Sequence, residues 1–119
     1  MSIFKKSKKK VEELEPKEAF TEIEKHHDNP DFIVLDVRTP KEYNKEHLEN
    51  AEVLDFKSSN FKEELEKMDP EKNYYVYCRS GRRSLKAVEQ MKKQGFQKVF
   101  NIKGGINKWK SKRLPLTAD

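Results

Sequence analysis

At 119 residues the chain has room for one domain with a real core and none for a second. Hydrophobic residues make up 34% and charged residues 39%, a polar balance, yet the apolar residues gather into distinct runs, which excludes disorder beyond the first dozen residues. The formal charge of +5 comes largely from the start, Lys5-Lys6-Ser7-Lys8-Lys9-Lys10, and from the lysine-rich second half. No aromatic residue interleaves those first lysines, so they read as a solvated basic tail and not as a surface for nucleic acid or membrane.

Residues 1–13 are therefore expected to be a basic, mobile segment, and residues 14–119 the domain. Pro16 suits the first turn of a helix that turns Ala19, Phe20 and Ile23 inward. A β-branched and apolar run from Phe32 to Val37 predicts a strand. Thr39-Pro40-Lys41-Glu42 is a capping box with proline at the first helical position, opening a short helix over Tyr43 toward Leu48. Ala51 to Phe56 predicts a second strand, and Phe61, Leu65 and Met68 fall on one helical face that Asp69-Pro70 ends.

Tyr74 to Cys78 predicts a third strand; it and the first look buried on both faces. The next helix carries Ala87, Val88 and Met91 on one side, and Gly95 ends it with Phe96 placed to contact Met91. Lys98 to Ile102 predicts the last strand, and Gly104-Gly105 turns the chain into a short helix around Ile106 and Trp109. Such alternation predicts an α/β domain: a mainly parallel central sheet of four to five strands with helices on both faces. Ligands in such folds bind at the C-terminal ends of the strands.

Cys78 lies at such an end. It is the only cysteine, so no internal disulfide is available, and no apolar stretch has the length of a signal sequence or membrane span. Both facts point to the cytoplasm. A lone buried cysteine is commonly a small core hydrophobe. Arg79, Ser80, Gly81, Arg82, Arg83 and Ser84, which follow it, are poor core material. They suit a turn into a helix start, where backbone N–H groups and positive charge favour a thiolate.

Three motifs in order resemble the rhodanese family: Val34-Leu35-Asp36-Val37-Arg38-Thr39-Pro40-Lys41-Glu42-Tyr43, the loop Tyr77-Cys78-Arg79-Ser80-Gly81-Arg82-Arg83-Ser84, and Gly104-Gly105-Ile106 with Trp109. The resemblance runs from about Glu15 to Leu116. It departs from the family where Glu46 and Asn50 replace the usual glycines of the stretch Glu46-His47-Leu48-Glu49-Asn50-Ala51. The first replacement puts the local turn in question; asparagine tolerates left-handed angles, so the second is mild.

The resemblance implies a sulfurtransferase in which Cys78 takes a sulfane sulfur from a small anionic donor such as thiosulfate and holds it as a persulfide. An external thiol, cyanide or a protein would then accept it. It implies that the backbone of Arg79, Ser80, Gly81, Arg82, Arg83 and Ser84 cradles the sulfur, and that the three arginines, not ranked among themselves, attract the donor. No cofactor, metal, nucleic acid or membrane partner is implied. Asp36 and Arg38 are expected to support the loop structurally, His47 to be a hydrogen-bonded structural residue, and Trp109 to anchor the last helix. His26-His27 lacks further ligands at zinc spacing, and capping accounts for Glu42.

Two alternatives remain. A persulfide carrier serving one protein partner would keep the same residues, and the basic loop could dock an acidic partner. A cysteine phosphatase or arsenate reductase needs five residues between its cysteine and arginine; here only four separate Cys78 from Arg83, position 84 is Ser84, and Tyr77 stands where a histidine is usual.

Overall fold

The computed structural model describes residues 11–119, and the run from Lys5 to Lys10 lies outside the described residues. Five strands, β1 (Glu12–Leu14), β2 (Phe32–Asp36), β3 (Glu52–Val53), β4 (Asn73–Tyr77) and β5 (Lys98–Ile102), form one sheet in the order β1-β5-β4-β2-β3, with every pair parallel. The helices are α1 (Pro16–Lys25), α2 (Pro40–Lys45), α3 (Phe61–Glu66), α4 (Arg82–Lys93) and α5 (Gly105–Ser111). The α/β sandwich expected from the alternation is the fold found.

Two hydrophobic clusters cover the two faces. On one, Phe61 and Leu65 of α3 and Ala87, Val88 and Met91 of α4 pack on Leu35, Tyr74, Val76, Val99 and Cys78. On the other, Ala19 of α1 and Ile106 and Trp109 of α5 pack on Val34, Tyr75, Tyr77 and Ile102. Residues 77 and 78 thus point to opposite faces, as strand alternation requires. β2 and β4 are interior strands, which is why their sequences are apolar without alternating.

Several boundaries differ from expectation; β2, for one, ends at Asp36 and not at Val37. β1 begins at Glu12, so the domain starts inside the segment assigned to the tail; an edge strand whose two glutamates are exposed carries almost no apolar signal. β3 keeps only two residues, because beyond Val53 the chain follows β2 irregularly, with Leu54 N–H donating to Asp36 C=O and Phe56 N–H to Val37 C=O. β4 ends at Tyr77, which leaves Cys78 in the loop and not in the strand. α2 stops at Lys45 and does not reach Leu48, since Glu46 is fully extended (φ −171°).

That extended backbone suits any residue, so Glu46 in place of glycine leaves the turn undisturbed. Asn50 does adopt a left-handed angle (φ 64°), one that asparagine accepts. At the end of α4, Gly95 (φ 99°) lets Phe96 N–H reach back to Met91 C=O at 3.0 Å, the expected cap.

Candidate active site

The loop between β4 and α4 is built from backbone geometry first. Gly81 caps α4 at φ 101°, a left-handed angle that aims the first N–H groups of the helix back at the preceding strand end. The Cys78 sulfur sits at their focus. It accepts from Gly81 N–H at 3.1 Å, from Ser84 N–H at 3.4 Å and from the Ser84 hydroxyl at 3.3 Å. Burial pushes the Cys78 thiol up, but the Ser84 hydroxyl and the N–H groups of Ser84, Gly81 and Ser80 together bring it below its ordinary value. The start of α4 adds its dipole in the same sense.

The carbonyls of the loop point the other way. Cys78 C=O accepts from Ile106 N–H at 2.9 Å and Arg79 C=O from Asn107 N–H at 3.1 Å, so the start of α5 holds the loop from behind. Gly105 is required there: a Cβ would stand 2.4 Å from Cys78 O and 2.5 Å from Arg79 O. Its signal in the sequence was a turn glycine; the close approach appears only when α5 and the loop meet.

The arginines separate. Arg79 and Arg82 are exposed and make no ion pair among the described residues. Arg83 is clasped by Glu42 of α2, Nη1 to Oε1 at 2.9 Å and Nη2 to Oε2 at 3.1 Å. Glu42 also closes the expected capping box, accepting from Thr39 N–H at 3.1 Å. Capping alone therefore does not account for it. Its carboxyl is held down at about 2, chiefly by Arg83, against a burial penalty and with help from Thr39.

Asp36 and Arg38 lie on the other side of the strand end. Arg38 is buried, and its Nη2 donates to Asp36 Oδ2 at 2.7 Å and to Glu46 C=O at 2.7 Å. The Tyr77 hydroxyl donates to Asp36 Oδ2 at 2.7 Å and accepts from Leu48 N–H at 3.1 Å. This network ties β2, β4 and the end of α2 together one residue before Cys78. Burial, then Asp36, pushes the Tyr77 hydroxyl far up, so it stays protonated. Tyr77 is the member of this cluster that composition and motif alone did not single out as support.

The other side chains singled out by the sequence are held in structural contacts or lie at the surface. His47 is buried, its Nδ1 is 2.7 Å from Tyr43 C=O, and its ring stacks on Tyr43. His26 stacks on Phe32 at 3.8 Å, while His27 stands exposed beside Asp28. Trp109 is buried with its Nε1–H donating to Pro115 C=O.

A profile of the family described as Rhodanese-like domain matches residues 19–112. Thiosulfate sulfurtransferase GlpE of Coxiella burnetii is 36% identical over 81 residues, covering 68% of this chain and 74% of that protein. A tRNA uridine(34) hydroxylase of Yersinia enterocolitica is 38% identical over 99 residues, 75% of this chain but only 28% of that protein, so the chain spans little more than a quarter of that relative. Among solved structures, a rhodanese-related protein from Thermoplasma volcanium superposes with a TM-score of 0.79 at 25% identity, covering 92% of this chain and all of that one (100%). A protein of unknown function and possible tyrosine phosphatase from Rhodopseudomonas palustris has a TM-score of 0.73 at 22% identity over 90% of this chain and 85% of its own, a likeness of fold alone.

Proposed function

Because the chain belongs to the family of rhodanese-like domains, we propose that it is a sulfurtransferase whose nucleophile is Cys78. The Cys78 thiolate attacks the outer sulfur of an anionic donor such as thiosulfate; the sulfur–sulfur bond of the donor breaks, sulfite leaves with the bonding pair, and Cys78 holds a persulfide. A thiophile, whether cyanide, a small thiol or a protein cysteine, then attacks the outer sulfur and returns Cys78 as thiolate. With a single cysteine in the chain, that acceptor comes from outside.

The observation that carries this reading is the convergence of Gly81 N–H, Ser84 N–H and the Ser84 hydroxyl on the sulfur. Donors fixed before reaction stabilise a thiolate and the persulfide anion at no reorganisation cost. Exposed Arg79 and Arg82 would draw in the anionic donor. Asp36, Arg38 and Tyr77 act only as the frame. Phosphatase chemistry is disfavoured because position 84, where its arginine would stand, is a buried serine spent on the sulfur, and Tyr77 is turned to the opposite face. A free thiol of this kind belongs in a reducing compartment such as the cytoplasm, and among the described residues no helix is long and apolar enough to cross a membrane.

The test is to incubate the protein with thiosulfate and weigh it intact. We expect a gain of one sulfur atom that cyanide removes and that Cys78→Ser never acquires. Absence of the adduct together with hydrolysis of an aryl phosphate would sink the reading. A persulfide carrier would use the same residues; slow release to cyanide with rapid release to a protein acceptor would select that alternative.

A further inference from the structure

A guanidinium can receive an anion only if it is free to do so, and of the three loop arginines one is not. Both outer nitrogens of Arg83 are taken by the two oxygens of Glu42 at 2.9 and 3.1 Å, a planar bidentate pair. Glu42 is no mobile surface acid. It is anchored in the first turn of α2, with Thr39 N–H and the Thr39 hydroxyl each 3.1 Å from Oε1. Arg83 is partly buried and immediately precedes Ser84, whose N–H and hydroxyl both meet the sulfur.

We propose that Glu42 is a specificity-determining residue: by occupying and neutralising Arg83 it limits the cations offered to an incoming reagent to Arg79 and Arg82, and so sets how far Cys78 favours anionic over neutral sulfur donors. The inference rests on the reading of Cys78 as the sulfur-accepting nucleophile. A closed ion pair is a short dipole whose field fades quickly, whereas either half alone leaves a full charge beside the loop. Without Glu42 the loop gains a third free cation. Without Arg83 it gains an unpaired carboxylate that repels anions. With both neutral, the field at the sulfur returns close to its starting value. If Arg83 were itself the ligand for the anion, the doubly neutral protein would instead stay impaired.

The experiment measures alkylation of Cys78 by iodoacetate, an anion, and by neutral iodoacetamide, at low ionic strength where screening is weakest. The same thiolate attacks the iodomethyl carbon of both reagents and displaces iodide, so their rate ratio cancels any change in thiol pKa or loop opening. The iodoacetate-to-iodoacetamide ratio should rise roughly three- to tenfold in Glu42→Gln and fall by a similar factor in Arg83→Gln. It should lie within threefold of wild type in the double variant. Glu42→Asp, which keeps the charge, should hold the wild-type ratio. An unmoved ratio in Glu42→Gln, or a fall of more than threefold in the double variant, overturns the proposal.

If Glu42→Gln alone does not fold, the double variant, whose two amides can bond each other, carries the test against wild type with the same threefold limit. Alkylation needs no sulfur donor, so the two readings fail separately. A protein that takes no sulfur from thiosulfate but shows these ratios loses only its proposed function; one that takes sulfur but lacks the ratios loses only the role of Glu42.

Discussion

Tyr77 and Cys78 are neighbours at one strand end, yet they sit in opposite kinds of polar site. On the Tyr77 face every strong group has a fixed partner: Asp36 receives Arg38 and Tyr77, and Arg38 also holds Glu46 C=O. That cluster is closed and its charges cancel. On the Cys78 face the donors outnumber the acceptor charge, because three of them meet one sulfur that is uncharged while protonated. Such an excess is relieved by ionisation of the thiol. A saturated network makes a frame, and an unbalanced one makes a nucleophile.

Substitutions on the two faces should therefore separate stability from reactivity. The largest loss of stability is expected from Asp36→Ala, which strands the buried Arg38 and should cost about 3–5 kcal/mol in denaturant unfolding, with reactivity per folded molecule little changed. Equal loss of both would break the contrast. Gly105→Ala should cost about 2–3 kcal/mol, since its φ of 61° is left-handed and the new Cβ meets the loop carbonyls. Here reactivity should fall as well, the pH at which iodoacetamide begins to react moving upward as the loop is pushed from α5.

Glu42→Gln should cost about 1–2 kcal/mol at neutral pH, a figure kept small because the pair is partly solvated. The folded-state pKa of Glu42 is depressed, from 4.5 to about 2, so its contribution is present above pH 4.5 and is lost as pH falls toward 2. The stability gap between variant and wild type should close over that window in urea titrations. Ser84→Ala should change stability least, by under about 1 kcal/mol, yet remove the hydroxyl donor at 3.3 Å from the sulfur while leaving the Ser84 N–H in place. The thiol pKa should rise, seen as a shift of the thiolate absorbance to higher pH. No shift would mean that the backbone N–H groups alone hold the thiolate.

Much of this protein was legible from local pattern. β5 spans the residues that its apolar run predicts, the capping box starts α2 at Pro40, and the Phe96 cap ends α4, because each depends on neighbours a few residues apart. β1 was missed because an exposed edge strand needs little apolar surface, and β3 was overdrawn because its pairing depends on the path of β2.

The sequence by itself determined the alternating parallel architecture, the position of Cys78 at a strand end and the loop that follows it. These come from hydrophobic period, turn glycines and residue order, all local quantities. Only the tertiary structure decided that Gly105 must lack a side chain and that Glu42 takes Arg83 from the set of free arginines. Gly105 lies 27 residues from Cys78 along the chain, and Glu42 lies 41 from Arg83. Contacts of that span are set by how parallel strands bring distant loops to one sheet edge, which no local pattern encodes.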